Sequence, residues 1–341
     1  MTDKGRVTKK KTWLNVLRIV ISVGALAFLF WRIGFGETLA VLRRADLRYL
    51  ALALALYVCG LLVRAFRWST LLGGLGAGVP FGRLVRLYFI GQFFSSFLPT
   101  QFGGDVVRAA ELTQDTHSSA AIGTVLLDRM TGLMVLFVMG LIALPFQVGR
   151  MPPWLAAVLL AVTVGGLIVG ALVLEGRLLR RLTKRLPMRL SLAGEGPLAK
   201  VYSAVTGCGW RAVLGAFATS VVFNLLNVVI NWLCGQTVGL GIGLPYFLAV
   251  TPLIAVGGLI PSVGGWGVRE TVSTAVFGPA GADANAAAAM GVALGGVGLL
   301  TGLMGGVVYA VEALCQLRRQ PRSTSTAEVG QQSGDGEVGK R

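Results

Sequence analysis

Apolar residues run along this chain in long blocks separated by short polar or basic links, with no strand-like alternation. A bilayer crossing takes about 20 mostly apolar residues. Six blocks meet that standard, at about 13–32, 49–70, 120–145, 153–174, 211–235 and 286–312. Two further segments, about 84–116 and 246–278, are apolar but interrupted. Each has an apolar arm, then Pro and a Gly pair, then a shorter helical piece, and neither arm is long enough to cross alone. The pattern predicts an all-α, polytopic transmembrane bundle of six full spans and two broken hairpins.

Charge decides how the hairpins sit. The 175–197 loop carries Arg177, Arg180, Arg181, Lys184, Arg185 and Arg189, so the positive-inside rule makes it cytoplasmic. The preceding link, 146–152, has only Arg150 and is expected outside. Segment 84–116 then begins and ends on the cytoplasmic side, as a re-entrant hairpin, and segment 246–278 enters from the opposite face. Both termini are expected in the cytoplasm of an inner-membrane protein. Arg32, Arg43, Arg44 and Arg48 run against this scheme, because it places their loop outside. Ala25-Leu26-Ala27 imitates a signal-peptidase site, but the apolar run continues through Trp31, which favours an uncleaved first span.

The hairpins share a motif. The first reads Leu98-Pro99-Thr100-Gln101-Phe102-Gly103-Gly104-Asp105-Val106-Val107-Arg108. The second reads Ile260-Pro261-Ser262-Val263-Gly264-Gly265-Trp266-Gly267-Val268-Arg269. Each half of the chain holds two spans, one hairpin and one span. Three crossings per half is odd, so a duplicated half must be inverted, which is a transporter architecture. The expected units are a basic N-terminus (1–12), a membrane domain (13–318, with halves 13–150 and 151–318) and a disordered polar tail (319–341).

Composition agrees with a membrane chain. The 341 residues are 54% hydrophobic and only 13% charged, against about 25% charged in soluble domains, and mean hydropathy is +0.72. That excludes a soluble enzyme and a disordered protein. The net charge of +16 reflects cations at the ends of apolar blocks, so nucleic acid is not an expected partner. Four scattered cysteines and one histidine offer no zinc site or disulfide framework, and no metal or cofactor is expected. Gly207, Gly209 and Ala212 satisfy GxGxxA, but no strand precedes them.

The candidate chemistry lies in the interrupted segments. Non-helical backbone at membrane depth needs protein or a watery cavity around it. The pairs Gly103-Gly104 and Gly264-Gly265, after Pro99 and Pro261-Ser262, are expected to make the turn, admit a ligand to the backbone and open a short helix. The first N–H groups of such a helix attract anions. Arg108 and Arg269, about one turn further in and flanked by Asp105 and Glu270, are expected to grip a phosphate bidentately. Asp128 and Arg129 lie roughly 12 Å into their span. Asp128 is expected to orient a motif arginine and Arg129 to face the ligand, the alternative being a purely structural ion-pair network. Asn224, Asn227 and Asn231 share one helix face and are expected either to line a groove or to hydrogen-bond between helices. Gly291, Gly295, Gly298, Gly302 and Gly306 read as helix packing.

The FLPTQFGGDVVR, Asp128-Arg129-Met130-Thr131-Gly132 and IPSVGGWGVRE stretches resemble the lysylphosphatidylglycerol synthase transmembrane region family, also called flippase-like membrane proteins. The resemblance covers about 13–318 and implies lipid handling. In full-length synthases a soluble aminoacyl-transfer domain follows the membrane unit. Here a polar tail stands in its place, so no enzyme activity and no catalytic residues are expected. The combined reading is a transporter for an anionic phospholipid or a polyprenyl-phosphate-linked lipid. Alternatives are a membrane partner presenting lipid to a separate glycosyl- or aminoacyl-transferase, and a small-anion transporter.

Overall fold

The computed structural model describes residues 46–98, 102–175, 197–260 and 262–319. The expected first span, most of the basic loop, Pro99, Pro261 and the polar tail beyond Arg319 lie outside them.

The described elements are helical. They are α1 (Leu47–Gly74), α2 (Phe81–Phe97), α3 (Gly103–Leu112), α4 (Ser118–Ala143) and α5 (Pro153–Glu175). They continue with α6 (Pro197–Gly207), α7 (Trp210–Thr237), α8 (Leu244–Gly257), α9 (Val268–Phe277) and α10 (Ala284–Arg319). Five of them, α1, α4, α5, α7 and α10, are long and apolar enough to cross a membrane. They coincide with five of the six expected spans.

Local chemistry sets the ends. The Asp46 carboxylate accepts the Arg48 N–H at 2.9 Å and starts α1. Asp283 does the same for α10, accepting from Asn285 N and Ala286 N at 2.9 and 3.0 Å. Proline stands at the first position of α5 and α6, where its missing N–H costs nothing. Within the spans, hydroxyls turn back on their own helix: Thr131 donates to Leu127 O, Ser220 to Ala216 O and Thr301 to Val297 O. No lone donor is left facing hydrocarbon at these positions.

Helices α1 and α7 form the centre and run antiparallel. Asp46 N donates to Thr237 O at one end, and Gly74 meets the Cys208 backbone at the other. Around this pair the packing partners cross over. The first arm of the first hairpin, α2, packs on α10, the last span of the second half. The first arm of the second hairpin, α8, packs on α4, the last span of the first half. The second arms stay at home, α3 on α4 and α9 on α10. Both crossings need glycine. A Cβ at Gly305 would collide with Phe89 O, and one at Gly140 with the Pro252 ring.

Helix α6 was not expected from the apolar blocks. Eleven residues are too short to register as a span, yet Tyr202 and Val205 are buried and Gly123 of α4 seats against Val201 and Ala204. Helix α10 also runs seven residues past the expected end of its block at 312.

Candidate functional site

A cavity of about 250 Å³ opens between α1, α2, α3, α4, α7, α8, α9, α10 and the turn of the second hairpin. Among the described residues Arg64, Arg67, Arg129 and Arg269 line it, against a single carboxylate, Asp105. Gln92, Ser95, Ser96, Thr251 and the three asparagines supply its neutral polar wall. Tyr57, Phe223 and Trp266 supply aromatic surface.

Asp128 anchors the arginine-rich side. It is buried and accepts from Arg67 Nε at 2.7 Å, Tyr88 OH at 2.5 Å and Arg108 Nη2 at 3.4 Å. Arg67 also donates to Ser220 Oγ at 2.9 Å, which ties α1 to α7. Arg108 stacks over the rings of Tyr88 (4.0 Å) and Trp68 (4.8 Å) and lies 3.3 Å from Asp105. Asp105 in turn pairs with Arg129, whose guanidinium covers the Phe102 ring at 4.2 Å. Charges this deep are tolerated because carboxylate and guanidinium satisfy one another.

Two cavity arginines lack such a partner. Among the described residues no carboxylate lies within 4 Å of Arg64 or Arg269. Arg64 rests over Tyr88 (5.0 Å) and Phe223 (5.3 Å), and its buried Nε has no hydrogen-bond partner. Arg269 fits among glycines. A Cβ at Gly265 would sit 3.0 Å from its Cζ, and one at Gly295 would sit 3.3 Å from its Nη1.

Of the residues singled out by sequence, Asp105, Arg129, Asn224, Asn227, Asn231, Gly264 and Arg269 meet at this cavity. Arg108 and Asp128 lie behind it, bonded to each other, and do not form its wall. Gly103, Gly104, Gly265, Ser262 and Glu270 are not on the wall either. The Ser262 hydroxyl turns back on Ile260 O at 3.4 Å, and Glu270 Oε2 is buried without a partner.

The two Gly pairs differ from the expectation of a common role. Gly103 and Gly104 open α3 as foreseen, but what approaches them is protein: Leu98 fills the space over Gly103, and Gly91 O and Ser95 Oγ that over Gly104. Gly264 and Gly265 lie before α9, at φ +63° and +80°, where side chains are strained. Gly267 is the residue that precedes that helix, at φ +82°. Arg269 is therefore the second residue of α9, in its first turn, and not one turn further in.

The asparagines do both things considered for them. Asn224 bridges helices, donating to Gly132 O at 2.9 Å, while all three reach the cavity. Gly291 seats Glu270 backbone, Gly302 seats Ser96 and Gly306 seats Phe93, so these three pack helices, while Gly295 and Gly298 of the same row are on the cavity wall. Sequence reasoning did not single out Arg64 and Arg67, which line the cavity. The signal was available: both arginines lie within the apolar block at about 49–70, and the helix runs on through Trp68, Leu71 and Leu72, all buried. No group of three metal-binding side chains forms among the described residues.

Comparison with known proteins places this arrangement in a family. Two similar proteins are archaeal. One, 30% identical over 131 residues, is the UPF0104 membrane protein PH1989 of Pyrococcus horikoshii, with 37% of this chain and 39% of the relative covered. The other, 31% identical over 156 residues, is a UPF0104 membrane protein of Methanothermobacter thermautotrophicus, with 43% and 45% covered. The match thus spans less than half the length of either relative. The family model for the lysylphosphatidylglycerol synthase TM region matches residues 15–306. With most of its length matched, the chain belongs to the family of the lysylphosphatidylglycerol synthase transmembrane region.

Proposed function

We propose that this membrane protein moves an anionic lipid, a phospholipid or a polyprenyl-phosphate-linked lipid, across the bilayer. The observation that carries the reading is the pair Arg64 and Arg269, two cavity-lining arginines without a carboxylate partner among the described residues. Uncompensated charge at membrane depth is costly and marks a pathway. A phosphate entering the cavity supplies the missing anion, and a guanidinium takes it bidentately. Arg269 stands in the first turn of α9, the end of a helix that favours anions. At about 250 Å³ the cavity is smaller than the usual ligand sites of about 300–1,000 Å³, so it takes a headgroup while the acyl chains stay in the bilayer.

The architecture we infer is an inverted repeat, with the two hairpins entering from opposite faces. The doubled motif and the exchange of packing partners between α2–α10 and α8–α4 support it. In this reading the cavity lies on the pseudo-symmetry axis beside α1 and α7, and alternating access rocks one half against the other. The chain acts as a carrier and not as an enzyme.

The experiment is lipid scrambling in proteoliposomes. Arg64→Ala and Arg269→Ala are each expected to slow it at least about thirtyfold, which corresponds to about 2 kcal/mol, the lower end of what losing a desolvated ionic contact costs. The exposed Arg86, which only turns back on Gly82 O, serves as the control, and Arg86→Ala is expected to scramble normally. Wild-type rates in both folded cavity variants would refute the proposal.

A further inference from the structure

We infer that the ligand headgroup is a phosphate ester of a neutral polyol, glycerol or a sugar, and not an amine-bearing headgroup. The inference rests on the anion-binding reading above and narrows it to a substrate class.

The cavity carries two arginines without a carboxylate partner and a wall of amides. Arg64 lies over Phe223 of α7. Arg269 lies by Gly265 and Gly295. Asn224, Asn227 and Asn231 span about 10 Å along α7, and all three are on the cavity wall. Gln92 and Ser96 face the same space from α2.

Asn231 specifies what the amide wall lacks. It is 2% exposed, and its Nδ2 donates to Asn227 O at 2.8 Å, which fixes the orientation of the amide. Its Oδ1 is then a buried acceptor with no donor. An unsatisfied buried acceptor costs on the order of 1–3 kcal/mol, which a ligand hydroxyl or ammonium would recover.

Charge separates those two donors. The one carboxylate on the wall, Asp105, is already shared by Arg108 and Arg129. An ammonium entering here meets four arginines and, among the described residues, no free carboxylate on the wall, since Glu270 lies off it, and a buried charge without a partner is strongly disfavoured. Hydroxyls donate to Asn231 Oδ1 without that penalty, while the phosphate meets Arg64 or Arg269. A lysyl headgroup, with its two amines, does not suit these walls.

The test is native mass spectrometry of the purified full-length protein offered equal amounts of several lipids. These are phosphatidylglycerol, phosphatidylinositol, phosphatidic acid, phosphatidylethanolamine and lysylphosphatidylglycerol, with inositol phosphate as a soluble arm. Phosphatidylglycerol and phosphatidylinositol are expected to be retained about tenfold over the two amine lipids, a difference of one contact's worth of affinity. Asn231→Leu, and the half-buried Asn227→Leu should Asn231→Leu misfold, are expected to erase the advantage of the polyol lipids over phosphatidic acid. Equal or preferential retention of the amine lipids, with binding still dependent on Arg269, overturns the headgroup assignment and leaves the anion site standing. Lipid retention unaffected by Arg269→Ala overturns the anion site itself. Binding of inositol phosphate without any lipid keeps the polyol phosphate chemistry and refutes a lipid as its source.

Discussion

Arg108 and Arg269 hold the same place in two copies of one motif, yet their surroundings assign them different work. Arg108 has Asp105 and Asp128 beside it and two aromatic rings over it, so it is part of the scaffold. In the second copy Trp266 stands where the first has Asp105, and Arg269 is left facing the cavity. Substitutions are expected to separate the two roles. Asp128→Asn leaves Arg67 and Arg108 buried without their shared counter-ion, and breaking such a network costs about 3–5 kcal/mol. Thermal unfolding in detergent is expected to show a large loss for Asp128→Asn and Arg108→Ala. Arg269→Ala is expected to melt near wild type while losing lipid retention. Equal melting of Arg108→Ala and wild type would contradict the scaffold assignment.

Helix–helix contacts govern the element scale. In a bilayer apolar faces gain little by leaving lipid, so association depends on close packing at small residues. The crossing of α2 on α10 works because Gly305 leaves room for Phe89 O and Gly306 for the Phe93 ring. Gly305→Val is therefore expected to abolish folded protein on size-exclusion chromatography. Gly296→Ala, where a Cβ meets nothing within 4 Å, is expected to elute as wild type. At one end of the bundle Arg83 of α2 reaches Glu312 of α10 at 3.0 Å, Asp115 at 3.3 Å and Glu111 at 3.5 Å. This clasp joins the two halves. Partly exposed pairs contribute below about 1 kcal/mol each, so Glu312→Gln is expected to leave the melting temperature nearly unchanged. If the halves rock apart at this end, the scrambling rate of Glu312→Gln is expected to rise.

Topology belongs to the whole molecule. With a cysteine-free background, single cysteines at Leu190 and in the tail are expected to label from the cytoplasmic side, and one at Gly149 from outside. Labelling of positions 149 and 190 from the same side would defeat the inverted repeat, since an odd number of crossings per half would no longer hold. The outer surface suits this placement. Phe66, Ile142, Val169 and Val307 are all more than half exposed on spanning helices, where only acyl chains offer them an apolar surrounding.

The sequence by itself determined the five described spans, the two interruptions and the family motifs. Each is a property of a contiguous stretch: a run of apolar residues must be helical in lipid, and Pro with paired Gly must break it. It also gave Asn224, Asn227 and Asn231 a common face, because helix periodicity is local. Tertiary structure alone decided which charges are spent. Asp128 meets Arg67 across 61 positions of sequence, and Arg67 meets Ser220 across 153, separations over which no spacing rule operates. That pairing takes Arg108 out of the cavity wall, leaves Arg64 and Arg269 on it, and turns the Gly103-Gly104 pair from a ligand approach into a seat for α2. Whether a buried arginine binds a ligand or holds the fold depends on the distance to its nearest carboxylate, and only the packing of distant helices sets that distance.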